Sequence, residues 1–140
     1  MTRTITDTES IQAKRYVFVY GTLRRGEERD INRLNPAPIF IGNSSIFGTL
    51  YQLGSYPGVR LGGAQAVQGE VYQITPELER QLDVIESVSP QPTGEYERRE
   101  VQVACAGLEL PCLVYEAGEQ TVRGKSMIVG GDWVRRNVDA

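Results

Sequence analysis

Two places in the sequence have residue types and spacing that could do chemistry. The first is the turn Tyr20-Gly21-Thr22-Leu23, which follows the β-forming run "YVFV" and precedes Arg24, Arg25 and Gly26. A glycine at the end of a strand lets the backbone turn sharply and exposes the N–H groups of residues 21 to 23 as donors. Such a concavity suits a small carboxylate, or the oxyanion that develops when a carbonyl is attacked. The same residues also suit a plain tight turn closing a core strand. Gly21 and Gly26 have the spacing of a phosphate loop, but Lys and then Ser or Thr should follow, and Glu27 and Glu28 stand there instead. Two carboxylates at that point exclude a standard phosphate site.

The second place is Glu86. In "TPELERQLDVIES", Leu78, Leu82 and Ile85 recur at helical spacing, and Glu86 falls four residues after Leu82, beside that apolar stripe. Desolvation there and the partial negative charge at a helix C-terminus both raise a carboxyl pKa. Two placements are open: against the apolar face, as a proton shuttle near neutral pH, or turned into water at a frayed helix end. Glu79, Arg80 and Asp83 fall on the polar face or its margin and are expected to be solvated. The chain has no histidine. It therefore cannot build a Ser-His-Asp triad, a Cys-His pair or a His-based metal site from its own residues. Proton transfer near pH 7 is left to a shifted carboxylate, Lys, Tyr or Cys.

The elements that must position these groups read as follows. Tyr16–Tyr20 is aromatic or β-branched at both parities, which predicts a strand buried on both faces. Glu27–Leu34 predicts a short helix ended by Asn35 and Pro36. Ile39–Leu53 predicts a β region with a bend or bulge at Gly42-Asn43. The glycine-rich stretch "GSYPGVRLGGAQ" predicts loop, and Ala66–Ile74 another strand. Thr75 as N-cap and Pro76 at the first helical position start a helix running to about Glu86. "EYERREVQVACAG" and "LELPCLVYEAG" predict a hairpin turning near Gly107, and "SMIVGGDWVRR" a final short element. The whole reads as α+β: a sheet curling into a small mixed β-barrel with two or so short helices. One domain is expected over residues 15–137, behind a polar, Thr-rich, disordered tail over 1–14.

The net charge of −3 disfavours a general polyanion binder. No apolar run approaches the roughly 20 residues of a membrane helix, and no secretory leader is present, so a cytoplasmic protein is expected. Cys105 and Cys112 then read as reduced thiols. A hairpin centred at Gly107-Leu108 sets Cys112 opposite Val103 and diagonal to Cys105, which also favours free thiols. Arg24 and Arg25 read as a solvated pair, and Trp133 as a lid over the core.

Seven pieces occur in an order that resembles the gamma-glutamylcyclotransferase-like family: "VFVYGTLRRG", "YPG", "VQGEVYQI", "LDVIES", "YERREV", "LVYEA" and "GDW". The resemblance spans nearly all of Tyr16 to Arg136. It implies a small mixed barrel with one pocket and release of 5-oxoproline from a γ-glutamyl compound. It further implies that Tyr20, Gly21, Thr22 and Leu23 hold the γ-glutamyl group through main-chain atoms, and that Glu86 is the general acid/base. Tyr115 resembles the family tyrosine near the pocket, with packing in a strand as its other reading. Tyr96 and Arg98 match a family pattern and are expected to order the loop after Glu86. No metal or organic cofactor is implied, and the expected partner is a small γ-glutamyl molecule. Two departures stand out: "EERDIN" with Asn32 replaces a common small-residue stretch and Asn-His pair, and Ser87 replaces a common glycine. The competing readings are a binding module that senses a γ-glutamyl or acidic metabolite without turnover, and, below it, a barrel for single-stranded nucleic acid.

Overall fold

A computed structural model describes residues 14–89 and 91–136, so the expected tail lies, apart from Lys14, outside the described residues. β1 (Arg15–Val19) is covered on both faces. Phe18 joins a core cluster with Leu50, Val59, Val67, Val71 and Val114, while Val17 and Val19 join a second with Leu78 and Leu82. The double-parity pattern therefore marks a strand with barrel interior on one side and a helix on the other.

Five strands close a ring. β1 pairs antiparallel with β4 (Gln65–Ile74), β4 with β2 (Ile39–Gln52), and β2 with β3 (Pro57–Leu61). β3 meets β6 (Leu108–Ala117) in parallel at Val59 and Glu116, and β6 closes on β1 in parallel at Tyr16 with Cys112 and Val17 with Leu113. Closure leaves the ring with no open edge. β5 (Tyr96–Cys105) hangs outside it, antiparallel to β6. Helix α1 (Pro76–Ile85) packs on the second cluster, and α2 (Glu119–Val122) is a single turn. Among the described residues no helix is long and apolar enough to cross a membrane.

Several expectations need correction. Glu27–Leu34 forms only a 3-10 turn at Ile31–Arg33. Several of its N–H groups bond elsewhere: Arg29 donates to the Thr22 carbonyl, Ile31 to that of Leu23, and Asn32 to the Asp30 carboxylate, which also accepts from the preceding Gly26. The segment expected to be loop contains β3, because Gly58 and Val59 pair with Tyr51 and Leu50 and tertiary pairing overrides a glycine-rich composition. The tail segment forms no regular element; Met127 makes one bridge to Tyr51. The irregularity in β2 falls between Phe40 and Gly42. The β5–β6 turn is Ala106-Gly107, both left-handed at φ 52° and 78°, which moves the register so that Cys112 faces Val101. Both cysteines are buried and free, as expected.

Candidate active site

Where β1 ends, the chain turns so closely over Pro57 that a Cβ on Gly21 would stand 2.5 Å from its Cγ and 2.8 Å from its Cδ. Only glycine admits this approach. The carbonyls of Gly21, Thr22 and Leu23 all accept, from the N–H groups of Arg24 at 3.0 Å, Arg29 at 2.9 Å and Ile31 at 2.9 Å. The N–H groups of the same three residues donate to nothing among the described residues. Tyr20, Gly21, Thr22 and Leu23 line a cavity of about 130 Å³.

The turn is tied to the barrel by Arg24, which is not solvated as expected. Its guanidinium bridges Glu70 at 3.0 Å and Asp132 at 2.8 Å, and the Glu70 carboxylate also accepts from the Arg25 N–H at 2.9 Å and the Tyr72 hydroxyl at 2.8 Å. Asn32 extends this network to Tyr72 and does not reach the cavity. Arg25 lies over the Phe40 ring. Glu70 is buried, so Glu70→Ala should destabilise the protein by about 3 kcal/mol, because a buried guanidinium loses one partner and two further donors lose theirs. An unshifted urea midpoint would show that the anchor carries no stability.

The opposite wall is the end of α1. Thr75 Oγ1 accepts the Leu78 N–H at 3.0 Å, the expected cap. At the far end Ser87 donates to the Val84 carbonyl and Val88 to that of Asp83, a Schellman arrangement that holds Glu86 at the C-cap. Ser87 takes φ 60°, the left-handed conformation glycine adopts more readily. The helix end is thus locked, not frayed. Glu79 and Asp83 are not free in solvent either: Arg15 pairs with Glu79 at 2.9 Å, Arg98 with Glu79 and Asp83, and the Tyr115 hydroxyl donates to Asp83 at 2.6 Å. Arg80 is exposed.

Glu86 lines the cavity, and its carboxyl makes no hydrogen bond among the described residues. Desolvation raises its pKa to about 7; the Arg29 cation opposes the rise and the Glu95 carboxylate adds to it. Tyr115 and Tyr96 line the same space, yet their hydroxyls are committed, to Asp83 and to the Pro57 carbonyl respectively. The Tyr20 hydroxyl donates to the Tyr115 carbonyl at 2.7 Å and accepts from the Val59 N–H at 3.2 Å. Burial raises the pKa of all three tyrosines, which keeps them neutral at ordinary pH.

Every sequence-predicted site residue therefore reaches one cavity, on two facing walls. Sequence reasoning missed Arg29, Tyr56, Pro57 and Glu95. Tyr56 and Pro57 were signalled by the "YPG" piece; Arg29 and Glu95 carried no signal. Tyr56 donates from its hydroxyl to Glu95. Arg98 ties β5 to α1 and does not line the cavity. Among the described residues no group of three or more Cys, Asp or Glu side chains is placed to hold a metal ion.

The sequence model of the family described as "Gamma-glutamyl cyclotransferase, AIG2-like" matches residues 17–135. A Vibrio cholerae protein named "Putative gamma-glutamylcyclotransferase" is 34% identical over 128 residues, covering 86% of this chain and 96% of that protein. The gamma-L-glutamyl-butirosin B gamma-glutamyl cyclotransferase of Niallia circulans is 36% identical over 94 residues, 65% of this chain and 59% of that protein. The solution NMR structure of the Escherichia coli protein ytfP superimposes with a TM-score of 0.61 at 32% identity, covering 89% of this chain and 99% of that one.

Proposed function

The chain belongs to the gamma-glutamyl cyclotransferase, AIG2-like family, as an enzyme of that type, and on that premise we propose that it releases 5-oxoproline and a free amine from a γ-glutamyl compound. One observation carries the reading: three unpartnered N–H groups, on Gly21, Thr22 and Leu23, and a carboxyl with a pKa of about 7 line the same cavity. The substrate's α-amine attacks its own γ-carbonyl carbon, so no protein nucleophile is needed. The cavity walls hold the chain of the ligand bent into reactive proximity.

Ionised Glu86 takes a proton from the attacking nitrogen as the new C–N bond forms. The N–H groups of the turn receive the negative charge on the former carbonyl oxygen, or the ligand's carboxylate. As the tetrahedral species collapses, Glu86 returns its proton to the departing nitrogen and the old C–N bond breaks. Tyr20, Tyr115 and Tyr96 wall the cavity as neutral groups whose hydroxyls are already bonded. No metal or cofactor enters this scheme. A cytoplasmic setting and the absence of a nucleic-acid partner are proposed with it, on the free buried thiols and the net charge of −3.

Incubation with a panel of γ-glutamyl amino acids and γ-glutamyl amines, read by mass spectrometry, should yield 5-oxoproline from at least one. For that substrate kcat/KM should rise with pH through about 7, as Glu86 of the free enzyme loses its proton. Absence of 5-oxoproline across the panel would overturn the reading.

A further inference from the structure

In the reaction above, on which this inference rests, the attacking nitrogen starts with one proton more than Glu86 can take. An α-amine has an ordinary pKa of about 8, and a carboxylate on the same carbon raises it, so at neutral pH the γ-glutamyl compound arrives as an ammonium. That nitrogen ends as the single N–H of 5-oxoproline and sheds two protons on the way. Glu86 takes the second, as the new C–N bond forms, and must be ionised at that moment. The first needs another acceptor.

Glu95 is placed to be that acceptor. Among the described residues it and Glu86 are the two carboxylates that line the cavity, and the Glu95 charge acts on Glu86. The Glu95 carbonyl accepts the Gly118 N–H at 2.9 Å, and its own N–H donates to Thr93 Oγ1 at 3.3 Å. One carboxylate oxygen, Oε2, accepts from the Tyr56 hydroxyl. The other, Oε1, has neither a hydrogen bond nor an ion pair among the described residues. The bond to Glu95, with burial and the Glu95 charge behind it, raises the Tyr56 pKa, so the phenol stays the donor and the carboxylate the acceptor. A carboxylate steadied through one oxygen and unpaired at the other is arranged to meet a cation. Glu95 also borders an open groove with Ser87, Thr93 and Thr121, which leads a proton to water.

We propose that Glu95 is a second catalytic carboxylate, whose Oε1 binds the α-ammonium of the γ-glutamyl compound and takes its first proton. The N–H bond breaks and its electron pair stays on the nitrogen, as the lone pair that attacks the γ-carbonyl carbon. The proton then leaves Glu95 for water through the groove, or joins the departed amine, which becomes an ammonium. Six titratable or charged groups share the cavity with Glu95: Tyr56 beside β3, Glu86 at the end of α1, Arg29 after the glycine turn, and Tyr20, Tyr96 and Tyr115. All four phenols have raised pKa values. Between pH 6 and pH 9 the pH dependence therefore belongs to the two carboxylates and the substrate's amine.

The test is kcat/KM against pH for Glu95→Gln, on the panel compound that yields most 5-oxoproline. Glutamine still accepts from Tyr56 but cannot take a proton, so the variant should lose about 10²-fold at pH 7. The loss should shrink to a few-fold above the amine's own pKa, where water supplies the neutral amine, and the profile moves to higher pH. A role through charge alone predicts the reverse. Glu95 raises the Glu86 pKa, so removing its charge would move the profile to lower pH and quicken the reaction on the acidic limb. Either that reversal or an equal loss at every pH would overturn the assignment. Calorimetric binding to Glu86→Gln, which leaves Glu95 intact, needs no turnover. There each γ-glutamyl compound of the panel should bind about tenfold or more tightly than its glutaryl counterpart, which lacks only the α-amine, and adding Glu95→Gln should erase the difference. Equal affinities in Glu86→Gln would overturn the Glu95 assignment, whereas absence of 5-oxoproline across the panel overturns the reaction, so the two failures register separately.

Discussion

Glu86→Gln should lose about 10²–10⁴-fold in kcat and fold more stably at neutral pH than the protein it came from. Glutamine keeps the size and the hydrogen-bonding reach of the carboxyl but cannot carry a proton between the two nitrogens. The stability gain follows from linkage. The native pKa is about 7 and the ordinary value 4.5, so between these two the native state binds more protons than the unfolded chain. Native stability therefore falls as pH rises through that window, while a glutamine pays no such cost. Because Glu86 is partly open to solvent, we expect a gain of about 1–3 kcal/mol at pH 8 and little at pH 4. Urea midpoints at the two pH values, measured beside 5-oxoproline release, decide both halves. Retained turnover would remove Glu86 from the chemistry, and a stability difference independent of pH would show that it is not held ionised at a cost.

Gly21→Ala should reduce kcat/KM by about 10²–10³-fold through the facing wall. The new methyl would stand 2.5 Å and 2.8 Å from two ring carbons of Pro57, and that ring is bonded into β3. The turn must move, and with it the N–H groups of the residues that line the cavity. Shifted donors no longer sit at hydrogen-bonding distance from the developing charge. Pro57→Ala in the same chain removes the obstructing atoms and should restore part of the loss, a non-additivity that a double-mutant cycle measures. If Gly21→Ala works within a few-fold of the wild type, the turn is closing a strand and no more.

The two faces of the site were legible for one reason. Gly21 follows five β-forming residues, and Glu86 stands at a fixed angle to Leu78, Leu82 and Ile85; both facts are set within a dozen residues of chain. The same local logic failed for Glu27–Leu34. The composition allows a helix there, but the Ile31 N–H finds its acceptor in the glycine turn, that of Asn32 in the Asp30 carboxylate, and Arg33 and Leu34 donate three residues back, so the i to i−4 ladder of an α-helix is not built.

By itself, the sequence determined the doubly buried first strand, the capped helix, the glycine turn and the carboxyl beside an apolar stripe, since strand period, helix period and capping act between near neighbours. Only the tertiary structure decided that "PGVRL" is a strand, that Glu70 and Asp132 anchor Arg24, and that Arg29 and Glu95 flank the cavity. Arg24 meets those two partners across sequence separations of 46 and 108 residues. Contacts of that kind exist because a ring of strands closes and brings distant segments to one rim, and closure depends on every strand in the ring at once.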